Sequence, residues 1–240
     1  RDNHPILKYA KVGSKYYYTF NAPGWPSKAF NKYVSNNLKK VDTPFLNHTL
    51  DTVLFGVTKK CGYQCEHCFE WDALNKPETL SKENILSIIQ SFQKLGITQV
   101  QLSGGEPLNR FDDILYVLQN IKRGTDVWLY TSGYHLTSER ASLLKSKGLT
   151  GITVSLDHWV PELHNIFRGK KNAFEWAEKA VVNAIKQNLV VCLSLCATKE
   201  FISENNLLHY ANLARRWGAA FIQVLEPKAV GHYAEKDVCL

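Results

Sequence analysis

Two short apolar segments flank one amphipathic segment: TVLFGVT at residues 52–58, KENILSIIQSFQKL at 82–95 and QVQLS at 99–103. The two outer segments are short and apolar, which predicts strands. Apolar residues in the middle segment recur every three or four positions, which predicts a helix. Ser81 stands where a helix N-cap is expected, and Gly96 follows the last helical position. A strand, a helix and a second strand in this order form a βαβ unit with parallel strands.

The same alternation continues along the chain and defines an α/β fold. Further strands are predicted at 126–131, 151–156, 190–198 and 221–225, and further helices at 112–122, 138–147, 173–187 and 204–217. Ser138 and Ser203 occupy predicted N-cap positions. Six parallel strands suit a partial (β/α)6 TIM-like barrel better than a closed barrel of eight, and a doubly wound sheet is the alternative that the pattern leaves open. In both folds, chemistry belongs at the carboxyl ends of the strands.

The two ends of the chain do not share this alternation. Residues 1–50 are rich in aromatic side chains without a sustained period, and we interpret them as an N-terminal extension that packs on a larger domain. The barrel is expected over residues 51–227. Residues 228–240 are expected to begin a C-terminal region that continues past Leu240, because no sixth helix follows the last strand and a parallel sheet needs cover on its apolar face.

The composition is that of a globular protein, with 240 residues, 45% hydrophobic and 21% charged, enough to bury a large core. No run of about 18 apolar residues occurs, so no membrane span is predicted. No secretion signal opens the chain, and a cytoplasmic location is expected. The net charge of +7 is compatible with nucleic acid, an anionic cofactor or an acidic protein partner and selects none of them.

A loop with three cysteines, CGYQCEHC at residues 61–68, directly follows the first predicted strand. It places Cys61, Cys65 and Cys68 at CxxxCxxC spacing. A zinc site and a redox pair are alternatives, but a closed zinc site wants four protein ligands, and His67 between two cysteines is an awkward fourth. Three clustered thiolates suit an iron–sulfur cluster in which one iron keeps an open position.

A second loop, Gly104-Gly105-Glu106-Pro107, directly follows the second predicted strand of the βαβ unit. Glycines at such a turn let a ligand approach the backbone closely. A carboxylate beside them can accept hydrogen bonds from an ammonium group. A tight turn without a ligand is the alternative for this loop taken alone. Its position one βα unit after the cysteine loop strengthens the ligand-binding interpretation.

Together the two loops resemble the radical S-adenosylmethionine (SAM) superfamily, in which a CxxxCxxC loop and a GGEP loop follow the first two strands. The resemblance covers about residues 51–231 and is most similar to the SPASM/twitch branch of peptide- and protein-modifying enzymes, which includes the sulfatase-maturing enzymes. The segments that carry this further likeness are Thr131-Ser132-Gly133, Ser155-Leu156-Asp157, HNIFRG at 164–169 with Phe174, Glu226-Pro227 and Val230-Gly231. Asn165 departs from the branch, which often has Asp there.

The resemblance implies a [4Fe–4S] cluster on the three cysteines and SAM on its open iron. His67 would lie near the adenine, and Glu106 with the backbone of Gly104 and Gly105 would face the methionyl amino group. Ser155 and Asp157 would reach the ribose, and Arg168 the SAM carboxylate. From the residues alone, Arg168 could equally pair with a carboxylate, Ser155 could simply finish a strand, and Asp157 could cap the next segment.

The activity that the resemblance implies is reductive cleavage of SAM to a 5′-deoxyadenosyl radical, which abstracts hydrogen from a peptide or protein side chain. The alternatives are a radical SAM enzyme that acts on a small molecule or nucleic acid, and a non-enzymatic metal-binding protein. A small acidic electron donor such as flavodoxin or ferredoxin is the expected protein partner, and nucleic acid and membrane are not expected partners.

Three further cysteines lie outside the loop. Cys192 and Cys196 are spaced evenly along a predicted strand and so face one side, where we interpret them as small buried hydrophobic residues. Cys239 is either a bystander or the first ligand of an auxiliary iron–sulfur cluster, and the sequence does not separate these alternatives.

Overall fold

The computed structural model describes residues 8–42 and 50–238. An antiparallel hairpin precedes a parallel sheet whose six strands neighbour one another in chain order. The strands are β1 (Ala10–Val12), β2 (Lys15–Tyr17), β3 (Thr52–Gly56), β4 (Gln99–Ser103), β5 (Asp126–Thr131), β6 (Gly151–Ser155), β7 (Val190–Cys196) and β8 (Phe221–Leu225). The helices are α1 (Lys28–Asp42), α2 (Lys82–Lys94), α3 (Phe111–Asn120), α4 (Ser138–Ser146), α5 (Pro161–Arg168), α6 (Ala173–Lys186) and α7 (Glu204–Trp217).

The sheet is curled into a partial barrel. The hydroxyl of Tyr130 on β5 lies 3.5 Å from Oε1 of Gln223 on β8, although a flat sheet would hold these strands about 14 Å apart. The ring of Phe20 likewise contacts Trp128 on β5 and Phe221 on β8, with centroids 6.2 and 6.3 Å apart. The predicted α/β fold and partial (β/α)6 barrel are confirmed, and the doubly wound sheet is not the architecture.

Side chains alternate between the two faces of the sheet, as the two-residue period of a strand requires. Apolar residues such as Val100 and Leu102 on β4 join the core beneath the helices. Their neighbours Gln99 and Gln101 are also buried. The four middle strands are buried on both faces, as predicted for a parallel sheet. The edge strands β3 and β8 are only partly buried.

The helix ends follow the predicted capping chemistry with one correction. The Ser81 side chain accepts a hydrogen bond from the backbone N–H of Asn84, whose side chain accepts one in return. The N-cap of α4 is Thr137 rather than Ser138, because the Thr137 hydroxyl accepts from the N–H of Arg140. Helix α5 was not predicted, because its eight residues give the apolar period too little length to be recognised.

The N-terminal segment packs under the barrel, at the amino ends of the strands. Tyr17 and Phe20 are buried there, whereas Tyr18 and Trp25 remain exposed, so the predicted packing holds for part of the aromatic set. Helix α1 was not predicted. It is held partly by polar contacts, with Asn36 Nδ2 donating to the carbonyl of Gly96 at 3.0 Å. Its apolar residues Ala29, Phe30 and Tyr33 recur at helical spacing, so a short period was present and was not recognised among the many aromatic residues of the segment. The domain boundaries stay a prediction.

The outer face of β8 lacks a covering helix in the part of the chain that follows it, residues 226–238. Ile222 and Val224 on that face are 38% and 54% exposed. The segment instead forms a 3₁₀ turn, Gly231–Tyr233, which returns over the carboxyl end of the barrel. Among all the described helices, none has the length and apolar content to cross a bilayer.

Candidate active site

A cavity of about 450 Å³ opens at the carboxyl ends of the strands. The parallel sheet directs the loops after β3, β4, β5, β6 and β8 to this end, so residues far apart in sequence meet there. All ten predicted site residues line it: Cys61, Cys65, His67, Cys68, Gly104, Gly105, Glu106, Ser155, Asp157 and Arg168. Their individual roles stay predictions.

The cysteine loop is held from several sides. The Asn75 side chain accepts from the backbone N–H of Cys61 at 3.1 Å and donates to its carbonyl at 3.0 Å. From the C-terminal side, the N–H of His232 donates to the carbonyl of Cys68 at 2.9 Å. The loop backbone is therefore held in place by protein contacts, which is what a preformed ligand set requires.

The three cysteine thiols share the cavity wall. Burial raises the pKa of Cys61 to about 11 and also raises the pKa of Cys65 and of Cys68 above the usual thiol value. Without a metal these groups are neutral thiols at pH 7, whereas coordination deprotonates a thiol outright. In the described residues, no three His, Cys, Asp or Glu side chains converge on one point as they would around a single metal ion.

The glycine loop fits directly against the start of the cysteine loop. The N–H groups of Gly105 and Glu106 donate to the carbonyls of Thr58 and Lys60, both at 2.8 Å. A Cβ atom on Gly104 would lie 2.9 Å from the backbone nitrogen of Thr58, and Gly104 has a φ of +135°. Here the glycines are required by the close approach of two loops, in addition to the ligand contact that the sequence predicts.

Glu106 is almost fully buried, and four donors surround its carboxylate. Oε1 accepts from the Thr131 hydroxyl at 2.7 Å and the Leu108 N–H at 3.1 Å, and Oε2 accepts from the N–H and hydroxyl of Ser132 at 2.8 and 2.5 Å. Burial raises the pKa of Glu106, and these donors act in the opposite direction. The carboxylate is thus fixed in orientation at the cavity wall.

Arg168 and Asp157 form a buried ion pair behind the cysteine loop. Arg168 Nε donates to Asp157 Oδ2 at 2.5 Å, and its Nη1 lies 3.6 Å from the sulfur of Cys65. The other oxygen of Asp157 accepts from the N–H of Cys196 at 3.0 Å. The alternative in which Arg168 pairs with a carboxylate is therefore found in the structure. The guanidinium has five N–H donors in all, so further donors remain for a ligand. Ser155 is partly exposed at the end of β6.

His67 lies against the protein on one face and against the cavity on the other. Its ring stacks on Phe167 with centroids 4.9 Å apart and planes 16° from parallel. Burial lowers the pKa of His67 to about 4, so the imidazole is neutral at pH 7. Its Nδ1 is buried without a hydrogen-bond partner in the described structure, which leaves one polar atom to be satisfied at the site.

Some contributors to the site were not predicted. The hydroxyls of Thr131 and Ser132 orient Glu106, and their position at the end of a strand beside the glycine loop was the signal that could have identified them. The contact of His232 with Trp71, whose rings stack 3.9 Å apart, joins two segments distant in sequence. No local pattern marks such a contact. Cys192 and Cys196 are buried as predicted, and Cys196 also lines the cavity. Cys239 lies outside the described residues.

The fold and site define a partial-barrel α/β protein with a three-cysteine loop at its catalytic end. The radical SAM superfamily model matches residues 56–210, and the chain belongs to this superfamily of enzymes. The [4Fe–4S] cluster and SAM are the cofactors of that class. The cavity fits them in that the three cysteines, the glycine loop and His67 line one space.

The chain is similar in sequence to curated proteins that include a molybdenum cofactor biosynthesis protein and several GTP 3′,8-cyclases. It is 30% identical to human molybdenum cofactor biosynthesis protein 1 over 212 residues, which is 80% of this chain and 32% of that protein. It is 30% identical to the GTP 3′,8-cyclase of Nautilia profundicola over 199 residues, 74% of this chain and 57% of that enzyme. The chain thus spans a third to three fifths of the length of these relatives.

The fold is also similar to solved structures. SuiB of Streptococcus suis bound to its precursor peptide SuiA has a TM-score of 0.66 at 15% identity, covering 86% of this chain and 46% of SuiB. At that identity the likeness concerns the fold alone. The superfamily prediction is confirmed, but the sequence relatives give no support to the SPASM/twitch peptide-modifying branch or to a peptide substrate, and they favour the small-molecule alternative.

Proposed function

We propose that the protein holds a [4Fe–4S] cluster on Cys61, Cys65 and Cys68, binds SAM in the adjoining cavity, and acts on a small molecule of the nucleotide class. The observation that carries this proposal is that the three cysteines and the glycine loop line one cavity. When bound, the cluster and SAM supply the one-electron chemistry that starts the reaction. The chain itself positions these groups and limits their contact with water.

The described contacts suit the proposed roles of the site residues. Glu106, fixed by four donors, presents a rigid acceptor for the methionyl ammonium group of SAM, together with the backbone of Gly104 and Gly105. His67 lines the cavity and offers a neutral aromatic ring near the adenine. Ser155 and Asp157 serve the ribose, and Arg168 the methionyl carboxylate, through donors beyond those that bind Asp157 and Cys65.

The nucleotide class of substrate follows from the names of the curated relatives, which include GTP 3′,8-cyclases. The charges on the cavity wall set a limit on how a nucleotide would bind. Four carboxylates and two cations line it: Glu70, Glu106, Asp157, Glu226, Arg168 and Lys228. Since this lining is acidic in sum, we place the uncharged base and ribose of the substrate towards the cavity and its phosphates outside it.

The remaining parts of the proposal concern partners and organisation. A small acidic one-electron donor such as flavodoxin or ferredoxin suits the net charge of +7. We retain the division into an extension at 1–50, a barrel at 51–227 and a C-terminal region from 228. An auxiliary cluster that involves Cys239 and a cytoplasmic location also remain proposals.

The test is SAM cleavage by the anaerobically reconstituted full-length protein. With dithionite as reductant, chromatography should detect 5′-deoxyadenosine, and GTP should accelerate its release more than ATP or no addition does. Iron-loaded protein that releases no 5′-deoxyadenosine under any of these conditions would refute the radical SAM activity. Acceleration by a peptide but not by any nucleotide would refute the small-molecule substrate and restore the peptide-modifying interpretation.

A further inference from the structure

The cysteine loop has a charged hydrogen-bond donor directly behind it. Nη1 of Arg168 lies 3.6 Å from the sulfur of Cys65, within hydrogen-bonding range for a sulfur acceptor. Both side chains are buried, with Arg168 8% exposed and Cys65 8% exposed. A guanidinium placed this close to a buried thiolate interacts with it strongly, because little water is present to screen the charge.

The position of this guanidinium is determined by the fold. Nε of Arg168 is held by Asp157 Oδ2 at 2.5 Å, and Asp157 is itself held by the backbone N–H of Cys196 at 3.0 Å. Two strand ends, those of β6 and β7, thus aim the arginine towards the cysteine loop.

The backbone of helix α5 is joined to the same loop, which sets the distance between donor and sulfur. The N–H of Gln64 donates to the carbonyl of Arg168 at 3.3 Å, and the N–H of Glu66 donates to the carbonyl of Phe167 at 3.0 Å. Gly169, with a φ of +58°, allows the close approach, because a Cβ there would lie 2.7 Å from the carbonyl oxygen of Gln64. Backbone hydrogen bonds on both sides of Cys65 therefore fix the Arg168 contact.

We propose that Arg168 donates a charge-assisted hydrogen bond to the sulfur of Cys65 when that thiolate holds iron, and that this bond raises the reduction potential of the cluster. The inference rests on the proposed cluster site and adds a role for this side chain that is independent of SAM. One electron from a low-potential donor enters the cluster, with no bond made or broken. The added negative charge is stabilised by the nearby cation and donor, since hydrogen bonds to the sulfurs help to set cluster potentials.

The measurement is the midpoint potential of the reconstituted full-length protein without SAM, followed by EPR during titration with dithionite. Omitting SAM removes any contribution from a carboxylate contact. Arg168→Met should lower the ratio of reduced to oxidised cluster at least tenfold at a fixed applied potential. For a one-electron couple this corresponds to a midpoint potential lower by about 59 mV. Arg168→Lys should lower it by less, because it keeps the charge but cannot reach Asp157 and Cys65 together.

The matched control is Arg216→Met, which removes one positive charge from the exposed last turn of α7. That turn leads into the start of β8 and therefore lies at the opposite end of the barrel from the cysteine loop. Its midpoint potential should equal that of the wild type. Equal potentials for Arg168→Met and Arg216→Met, at equal iron content, would overturn the inference. If Arg168→Lys has the wild-type midpoint potential, the positive charge alone sets the potential, and the proposed hydrogen bond to Cys65 is refuted.

A second measurement covers the case in which Arg168→Met does not fold or hold iron. Wild-type protein labelled with ¹⁵N-arginine should show a weak ¹⁵N hyperfine coupling in the pulsed EPR spectrum of the reduced cluster. A spectrum without that coupling would overturn the inference while the proposed function stands. Failure of the wild type to take up a four-iron cluster would instead refute the proposed function, and this inference with it.

Discussion

The contact between the glycine loop and the cysteine loop makes Gly105 a position that tolerates no larger side chain. A Cβ atom there would lie 2.8 Å from the carbonyl carbon of Lys60 and 3.1 Å from Cβ of Cys61, and it would collide with the Lys60 oxygen. Comfortable carbon–carbon contacts begin near ~3.5 Å. Gly105→Ala must therefore push the two loops apart by about 0.7 Å.

That displacement also weakens the hydrogen bonds that cross the same boundary. The bonds from the N–H groups of Gly105 and Glu106 to Thr58 and Lys60 measure 2.8 Å and would lengthen to about 3.5 Å, the limit of a useful bond. Overpacking costs ~1–3 kcal/mol and each weakened bond up to ~0.5–1.5 kcal/mol. We expect Gly105→Ala to lower the free energy of unfolding by about 2–4 kcal/mol, against a typical total of about 5–15 kcal/mol.

The assay is urea denaturation of the metal-free protein followed by circular dichroism, with iron content after reconstitution as a second reading. Gly62→Ala is the matched control, because its Cβ would meet only Lys170 Nζ at 3.9 Å. Both substitutions restrict the unfolded chain equally, so the difference between them reports the native clash. If Gly105→Ala unfolds within about 0.5 kcal/mol of Gly62→Ala and loads the same iron, the steric reasoning is wrong.

Three further predictions concern single side chains. Cys65→Ala should abolish iron uptake, whereas Cys192→Ala, which changes a buried cysteine outside the loop, should retain it. Colorimetric iron and sulfide assays measure both variants, and iron retained by both would refute the ligand assignment. Glu106→Gln should lower the free energy of unfolding, measured in urea, by about 1–3 kcal/mol. In either orientation of the amide, its NH₂ group would face the backbone N–H of Leu108 or of Ser132. No change would mean that the carboxylate is not needed as an acceptor. Tyr210→Phe should cost about 0.5–1.5 kcal/mol in the same assay, because the hydroxyl donates to the carbonyl of Leu156 at 2.8 Å, and an unchanged midpoint would show that water replaces this bond.

The parts of the site that the sequence predicted are those carried by contiguous residues. The cysteine loop at 61–68 and the glycine loop at 104–107 each hold their chemistry within eight residues or fewer, directly after a strand. Parallel strands bring their carboxyl ends to one edge of a sheet, so the meeting of the two loops could be expected. The branch of the superfamily was not predictable in this way, because the segment at 164–169 shares residue types with peptide-modifying enzymes while the sequence relatives are GTP cyclases.

The sequence alone determined the α/β fold, its six parallel strands and the three-cysteine loop, because hydrophobic period, capping residues and cysteine spacing are local properties of the chain. Only the tertiary structure decided that Arg168 would contact Cys65, a residue 103 positions away, and that Thr131 would orient Glu106. It also decided where α1 lies, with Asn36 donating to the carbonyl of Gly96. These contacts depend on how strongly the sheet curls and on which hydrogen-bond donors are buried away from water. Neither property can be predicted from a short stretch of residues.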